Sequence, residues 1–265
     1  MIGIVVKNPD DKLLGALLFQ RCREFRVYVA GQADDAFLAD YEGRLRLVRG
    51  GLDQVEEPLC VLLEAGALPD RDWVRRILRT CRRHPAFDVY HVNLPGEKKW
   101  PRKLKLDRLF RMTVLEQRPA PLSTFVFRTE ILRTRAVFKA DGTLDTLPTV
   151  LSCAERPVRN VWRQTLTWTP PAVPQDPASV EKRIRERLEA LRWCEQYFGE
   201  DRHPLDAGER LALYARELAR LYPTYSADEL KEEMNLFQTA QGTIRKFKAS
   251  QALKSALKKR QKELA

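Results

Sequence analysis

The chain reads as an α/β protein built on a mostly parallel sheet covered by helices on both faces, with an all-helical region after it. Three observations carry that reading. Short β-branched runs alternate with segments of helical periodicity through the first two thirds. The run Leu59–Leu63 is apolar at nearly every position, as a central strand buried on both faces requires. Beyond the proline-rich segment 169–177, every periodic stretch is helical.

Taken in order, Ile2–Val6 is a strand that ends at the breaker group Asn8-Pro9-Asp10, after which Leu13, Leu14, Leu17, Leu18 and Cys22 recur at helical spacing. Phe25–Ala30 is a second strand, stopped by the polar loop 31–35, and Leu45–Val48 a third. Leu59–Leu63 runs into Glu64-Ala-Gly-Ala-Leu-Pro69. The helix expected next has acids at Asp70 and Asp72, where the positive end of its dipole favours them. Its apolar stripe is Trp73, Val74, Ile77, Leu78 and Cys81, and arginines crowd its later turns. Asp88–Val92 and Ser123–Phe127 are further strands, Leu144–Ala154 is a helix with Pro148 near its start, and Val158–Trp168 closes the domain as extended chain.

Residues 1–168 therefore form one domain, and the prolines of 169–178 make a linker. Residues 179–265 carry four helices: Ser179–Phe198, Asp206–Leu221, Ala227–Phe237 and a basic one from about Ile244 onward. Ser226 with Glu229 has the spacing of a capping box for the third.

A 265-residue chain with 44% hydrophobic and 31% charged residues is globular, and no apolar run approaches the roughly 18 residues of a membrane span. The N-terminus lacks the features of a secretory signal, so a cytoplasmic location is expected. Five widely spaced cysteines without a C-x-x-C pair read as buried thiols, and His84, His91 and His203 are too scattered to suggest a metal cage. Of the net charge of +11, residues 243–265 supply +7, from eight Lys or Arg against Glu263. No nucleic-acid recognition motif accompanies that charge, so specific nucleic-acid binding is not expected. The terminal helix places Ile244, Phe247, Leu253, Leu257 and Leu264 among its lysines. Such a helix suits an anionic membrane surface or a protein partner; packing on the preceding helices is the other reading.

The segment Val61-Leu-Leu-Glu-Ala-Gly-Ala-Leu-Pro-Asp-Arg-Asp-Trp73 lies after three strands and before a helix and another strand. In sequence and position it resembles the apolar strand, Asp-x-Asp turn and helix start of family 2 glycosyltransferases, the nucleotide-diphospho-sugar transferases of GT-A fold. Pro121-Leu-Ser-Thr-Phe-Val-Phe-Arg-Thr-Glu-Ile-Leu132 resembles the strand and helix that follow the acceptor loop in that family. The resemblance implies a nucleotide-sugar donor, a hydroxyl acceptor, and a divalent metal (Mn or Mg) that neutralises the leaving diphosphate. Here the metal turn reads Glu64-Ala65-Gly66: one carboxylate is kept, as Glu64, and the second is replaced by Gly66.

The acids that meet the base and ribose in the family fall at Ala30 and Gly31, with Asp34 and Asp35 just beyond as substitutes. Lys98, Lys99 and Arg102 fall where a diphosphate would be held, and Trp100 where a sugar would stack, although a solvated basic loop explains them equally. The family's general base matches Asp145, with Asp141 as a fallback; a helix-capping aspartate is the alternative. Two functions follow: sugar transfer, or a GT-A-like module that has lost catalysis and binds a partner through its helical region. The absence of any glycine-rich phosphate loop weakens a third, unrelated nucleotide-binding protein.

Overall fold

The computed structural model describes all residues except 32–33, 65, 97–99, 117, 119, 140, 162–164, 170–175, 240–245 and 265, and the side chains of 200–201, 238–239 and 246–248. By its internal contacts the chain divides into two units. The first is 1–109 with 118–173, and the second is 110–117 with 174–265.

The first unit follows the alternation of its sequence. Its elements are β1 (Ile2–Lys7), α1 (Asp11–Leu18), β2 (Phe25–Ala30), α2 (Asp35–Ala39), β3 (Leu47–Arg49), β4 (Leu59–Leu63), β5 (Ala67–Pro69), α3 (Trp73–Arg83), β6 (Val89–Val92), β7 (Lys103–Leu104), the start of α4 (Leu106–Val114), β8 (Phe125–Arg128), α5 (Thr129–Arg135), α6 (Thr146–Cys153), β9 (Val158–Val161) and β10 (Leu166–Trp168). Among the described residues the main sheet has eight strands in the order β3-β2-β1-β4-β8-β6-β9-β7. β8 lies antiparallel between β4 and β6, and β7 is antiparallel at the edge; the other pairs are parallel. Ile2, Ile4, Val6, Val27, Val61 and Leu63 are buried in the sheet, and Leu14, Leu17, Trp73 and Ile77 cover it from α1 and α3.

Local chemistry places the helix starts. Asp10 caps α1 by accepting from the Leu13 amide at 2.7 Å. Pro148 falls in the first turn of α6, where its missing N–H breaks no helical bond. The extended chain expected over 158–168 is two strands. β9 joins the main sheet, while β10 pairs with β5, directly after the Glu64–Gly66 turn. The strand expected from Ser123 begins at Phe125, because Leu122–Thr124 forms a 3₁₀ turn.

The second unit holds the rest of α4, α7 (Pro177–Arg202, broken at Gly199), α8 (Ala207–Ala219), α9 (Ala227–Thr239) and α10 (Lys246–Leu264). Residues 110–117 belong with these helices because Phe110 packs edge-on against Phe198 and His203, each at 5.4 Å. Arg111 also donates to the Pro204 carbonyl at 2.8 Å. Ser226 and Glu229 form the expected capping box, and Asp206 with Glu209 forms another at α8. Ala249, Leu253 and Leu257 of α10 are buried, with α10 packed on α8 and α9. Of the apolar positions expected to form a stripe, Leu253 and Leu257 are used inside the unit, Leu264 is exposed, and Ile244 and the Phe247 side chain lie outside the described residues. Among the described residues no helix is long and apolar enough to cross a membrane.

Candidate active site

Because β1 pairs in parallel with both β2 and β4, the carboxyl ends of these strands lie side by side and bring Asn8, Gly31 and Glu64 to one edge. Asn8 and Gly31 both adopt left-handed backbone, with φ of +52° and +88°. A Cβ on Gly31 would stand 3.4 Å from the Asn8 side-chain oxygen. Backbone geometry thus accounts for a glycine where the family places an acid. The nearby acids are engaged otherwise. Asp34 caps α2, accepting from the Ala36 amide at 2.9 Å, and Asp35 pairs with Arg49.

Glu64 follows the last residue of β4. Its side chain reaches solvent, yet enough protein surrounds the carboxyl to raise its pKa by desolvation. The Ser123 and Leu122 amides, the Lys139 charge and the Ser123 hydroxyl act against the rise by favouring the carboxylate. The 3₁₀ turn before β8 aims those amides at Glu64, because β8 runs antiparallel to β4 and so begins where β4 ends. Composition and motif gave no sign of Leu122, Ser123 or Lys139. Their nearness to Glu64 depends on strand order.

Gly66 has a φ of +82°, and a Cβ there would lie 2.1 Å from the Thr169 carbonyl oxygen. The Thr169 amide also donates to the Gly66 carbonyl at 3.0 Å, continuing the β5–β10 pairing. The turn therefore leaves no space for a second carboxylate. Among the described residues no three His, Cys, Asp or Glu side chains are grouped to hold a metal. A divalent ion would find one hard ligand here, Glu64, already facing amides and a lysine, so this donor set does not make a protein-held metal site. All five cysteines are free thiols, four of them buried.

Asp145 occupies the N-cap position of α6, but its side chain makes no capping bond. Its amide donates to Val137 at 2.8 Å, and the Lys139 amide donates to Thr143 at 2.7 Å. These bonds hold Asp145 beside Val137 and Thr143 beside Lys139, the lysine acting on Glu64. Asp141 instead holds the turn, accepting from the Thr143 amide at 2.9 Å.

Trp100 requires a correction. It was expected to stack on an acceptor sugar, but its ring is 1% exposed and packs 4.3 Å from His91, which itself lies against Phe125. Asn160 donates to the Trp100 carbonyl at 2.9 Å and ties the residue to β9. The ring is core. Arg102 lines a cleft with arginines of α3, and Glu64 is not among the residues of that cleft. Lys98 and Lys99 lie outside the described residues.

The strand order 3-2-1-4 with an antiparallel strand inserted before the next parallel pair, and a carboxylate-bearing turn after the fourth strand, can be compared with solved proteins. Staphylococcus aureus TarS, residues 1–349, in complex with UDP superposes with a TM-score of 0.61 at 13% identity, over 99% of this chain and 91% of that one. The same fragment in complex with UDP-GlcNAc gives 0.61 at 13%, over 99% and 92%. A longer TarS chain gives 0.53 at 16%, over 91% of this chain and 47% of that one. The fold is GT-A. No protein-family model and no curated protein sequence matches the chain.

Proposed function

We propose that this chain is a family 2-like glycosyltransferase that moves a sugar from a nucleotide-sugar donor to a hydroxyl acceptor. The observation that carries the reading is Glu64, a carboxylate at the end of β4 in a GT-A sheet, faced by the Leu122 and Ser123 amides and by Lys139. A likeness to a fragment solved with UDP-GlcNAc supports the choice of donor class.

In this reading Glu64 accepts hydrogen bonds from donor hydroxyls, and Lys139 offsets charge on the departing diphosphate. Asp145 takes the proton of the acceptor hydroxyl as its oxygen bonds to the anomeric carbon and the bond to the diphosphate breaks. Asp34, Asp35 and the basic residues Lys98 and Lys99 remain proposed donor contacts. No step is routed through a metal, since the Glu64–Gly66 turn supplies one ligand.

Calorimetric titration with UDP-, GDP- and dTDP-sugars, each with and without Mn²⁺, tests the reading. One donor should bind, and Glu64→Ala should abolish that binding. Silence across the panel favours the second reading, a GT-A-fold module that binds without catalysis. The closed position at Gly66 supports that rival.

A further inference from the structure

A cleft of about 490 Å³ lies between α3, β9 and the segment leading into β7. Arg75, Arg76, Arg79, Arg83, Arg102 and Arg159 line it, and among the described residues no carboxylate does. Asp70 and Asp72 reach Arg76, and Asp72 also reaches Arg75, so those two charges are partly offset. Among the described residues Arg79, Arg83 and Arg159 have no acidic partner. Arg159 donates to the His84 ring at 2.7 Å, and its buried Nε has no partner among the described residues.

Such an arrangement costs the free protein stability. Arg75, Arg79 and Arg83 follow one another at i, i+4 on α3, a spacing at which like charges repel. A bound anion relieves that repulsion. Four residues of helix rise about 6 Å, so the three guanidinium groups span several phosphates, not one. Guanidinium pairs with phosphate through two parallel hydrogen bonds. Among the described residues the lining offers no Phe, Tyr or Trp on which a nucleobase would stack, which argues against single-stranded nucleic acid.

We infer that this arginine cleft, which Glu64 does not line, is a binding site for a ligand carrying two or more phosphate groups and no base. The inference does not depend on sugar transfer. His84 reports on occupancy. Its pKa is lowered by desolvation and then by Arg159, Arg83 and Lys103, which face it from β9, α3 and β7, and a bound anion would raise it.

The test is calorimetric titration of the full chain with tripolyphosphate, pyrophosphate and orthophosphate at low salt, together with NMR titration of the His84 ring. Tripolyphosphate should bind most tightly, weaken with added salt, and raise the His84 pKa. Arg79→Gln with Arg83→Gln, both exposed positions, should weaken binding roughly ten- to a hundred-fold while the melting temperature of the free protein holds or rises as the repulsion along α3 is relieved. Three results would each overturn the inference. One is no binding of tripolyphosphate. Another is binding lost in Glu64→Ala but kept in the arginine variant, which places the anion at Glu64. The last is an oligonucleotide of equal charge bound more tightly through the same arginines.

Discussion

Gly66 combines a φ of +82° with a Thr169 carbonyl oxygen 2.1 Å from where its Cβ would sit. Restoring the acid of the family motif is therefore expected to fail on steric grounds before any question of metal affinity arises. Gly66→Asp should lower stability by about 1–3 kcal/mol in urea unfolding, as strain in a sparsely populated backbone region does. Full stability together with tight Mn²⁺ binding in that variant would show that the turn has room. Asp145 makes the complementary prediction. Its side chain does not cap α6, so Asp145→Asn should leave the start of that helix unchanged. It should leave donor affinity unchanged too, while turnover falls about 10²- to 10⁴-fold, the usual contribution of a general base. Equal loss of binding and turnover would assign Asp145 to the donor instead. Both residues were legible in the sequence as positions, but the contact that decides Gly66 comes from a residue about a hundred positions away.

At the level of elements, α10 shows how one pattern serves two readings. Its apolar residues and lysines suit a lipid surface or a bundle equally in sequence, and the bundle takes two of them: Leu253 is 2% exposed and Leu257 8%, while Leu264 is 49% exposed. Leu253→Ala is expected to destabilise the second unit by about 2–5 kcal/mol, the cost of a truncated buried leucine. Intact protein should not sediment with anionic vesicles; recruitment that Leu253→Ala strengthens would mean that α10 swings out to reach lipid. Strands β5, β7 and β10 were not separable in the sequence, being two or three residues long and recognisable only by the partners they pair with. The longer elements β1, β4 and α3 were legible because each buries a periodic face.

Across the whole molecule, the response to pH follows from the titratable groups that the two units bury. His91 lies between Trp100 and Phe125, and burial pushes its pKa down to about 3, with Asn160 opposing weakly. Its folded pKa is thus depressed below the ordinary value near 6.5. The stability it contributes is present above that value and is lost as pH falls toward 3, on the order of a few kcal/mol in all. Glu64 and Glu195 act oppositely: desolvation raises their carboxyls, so their contribution is present in acid and lost as pH rises. Urea unfolding at pH steps from 7 downward should therefore show falling stability, and His91→Phe should flatten the slope. A slope unchanged in His91→Phe would assign the acid loss to other groups.

Periodicity, turn chemistry and a short run of residues around Glu64 suffice, without coordinates, for the α/β class, the order of the longer elements, the helical second region and the GT-A resemblance. These are local properties, since burial of a face repeats along the strand or helix that bears it. Strand order is not local. Only the folded chain inserts β8 between β4 and β6, and so brings Leu122, Ser123 and Lys139 to Glu64. It also closes Gly66 against Thr169, takes Trp100 into the core, and gathers the α3 arginines with Arg102 and Arg159. Each of these depends on long-range pairing, whose partners no periodicity in either segment encodes.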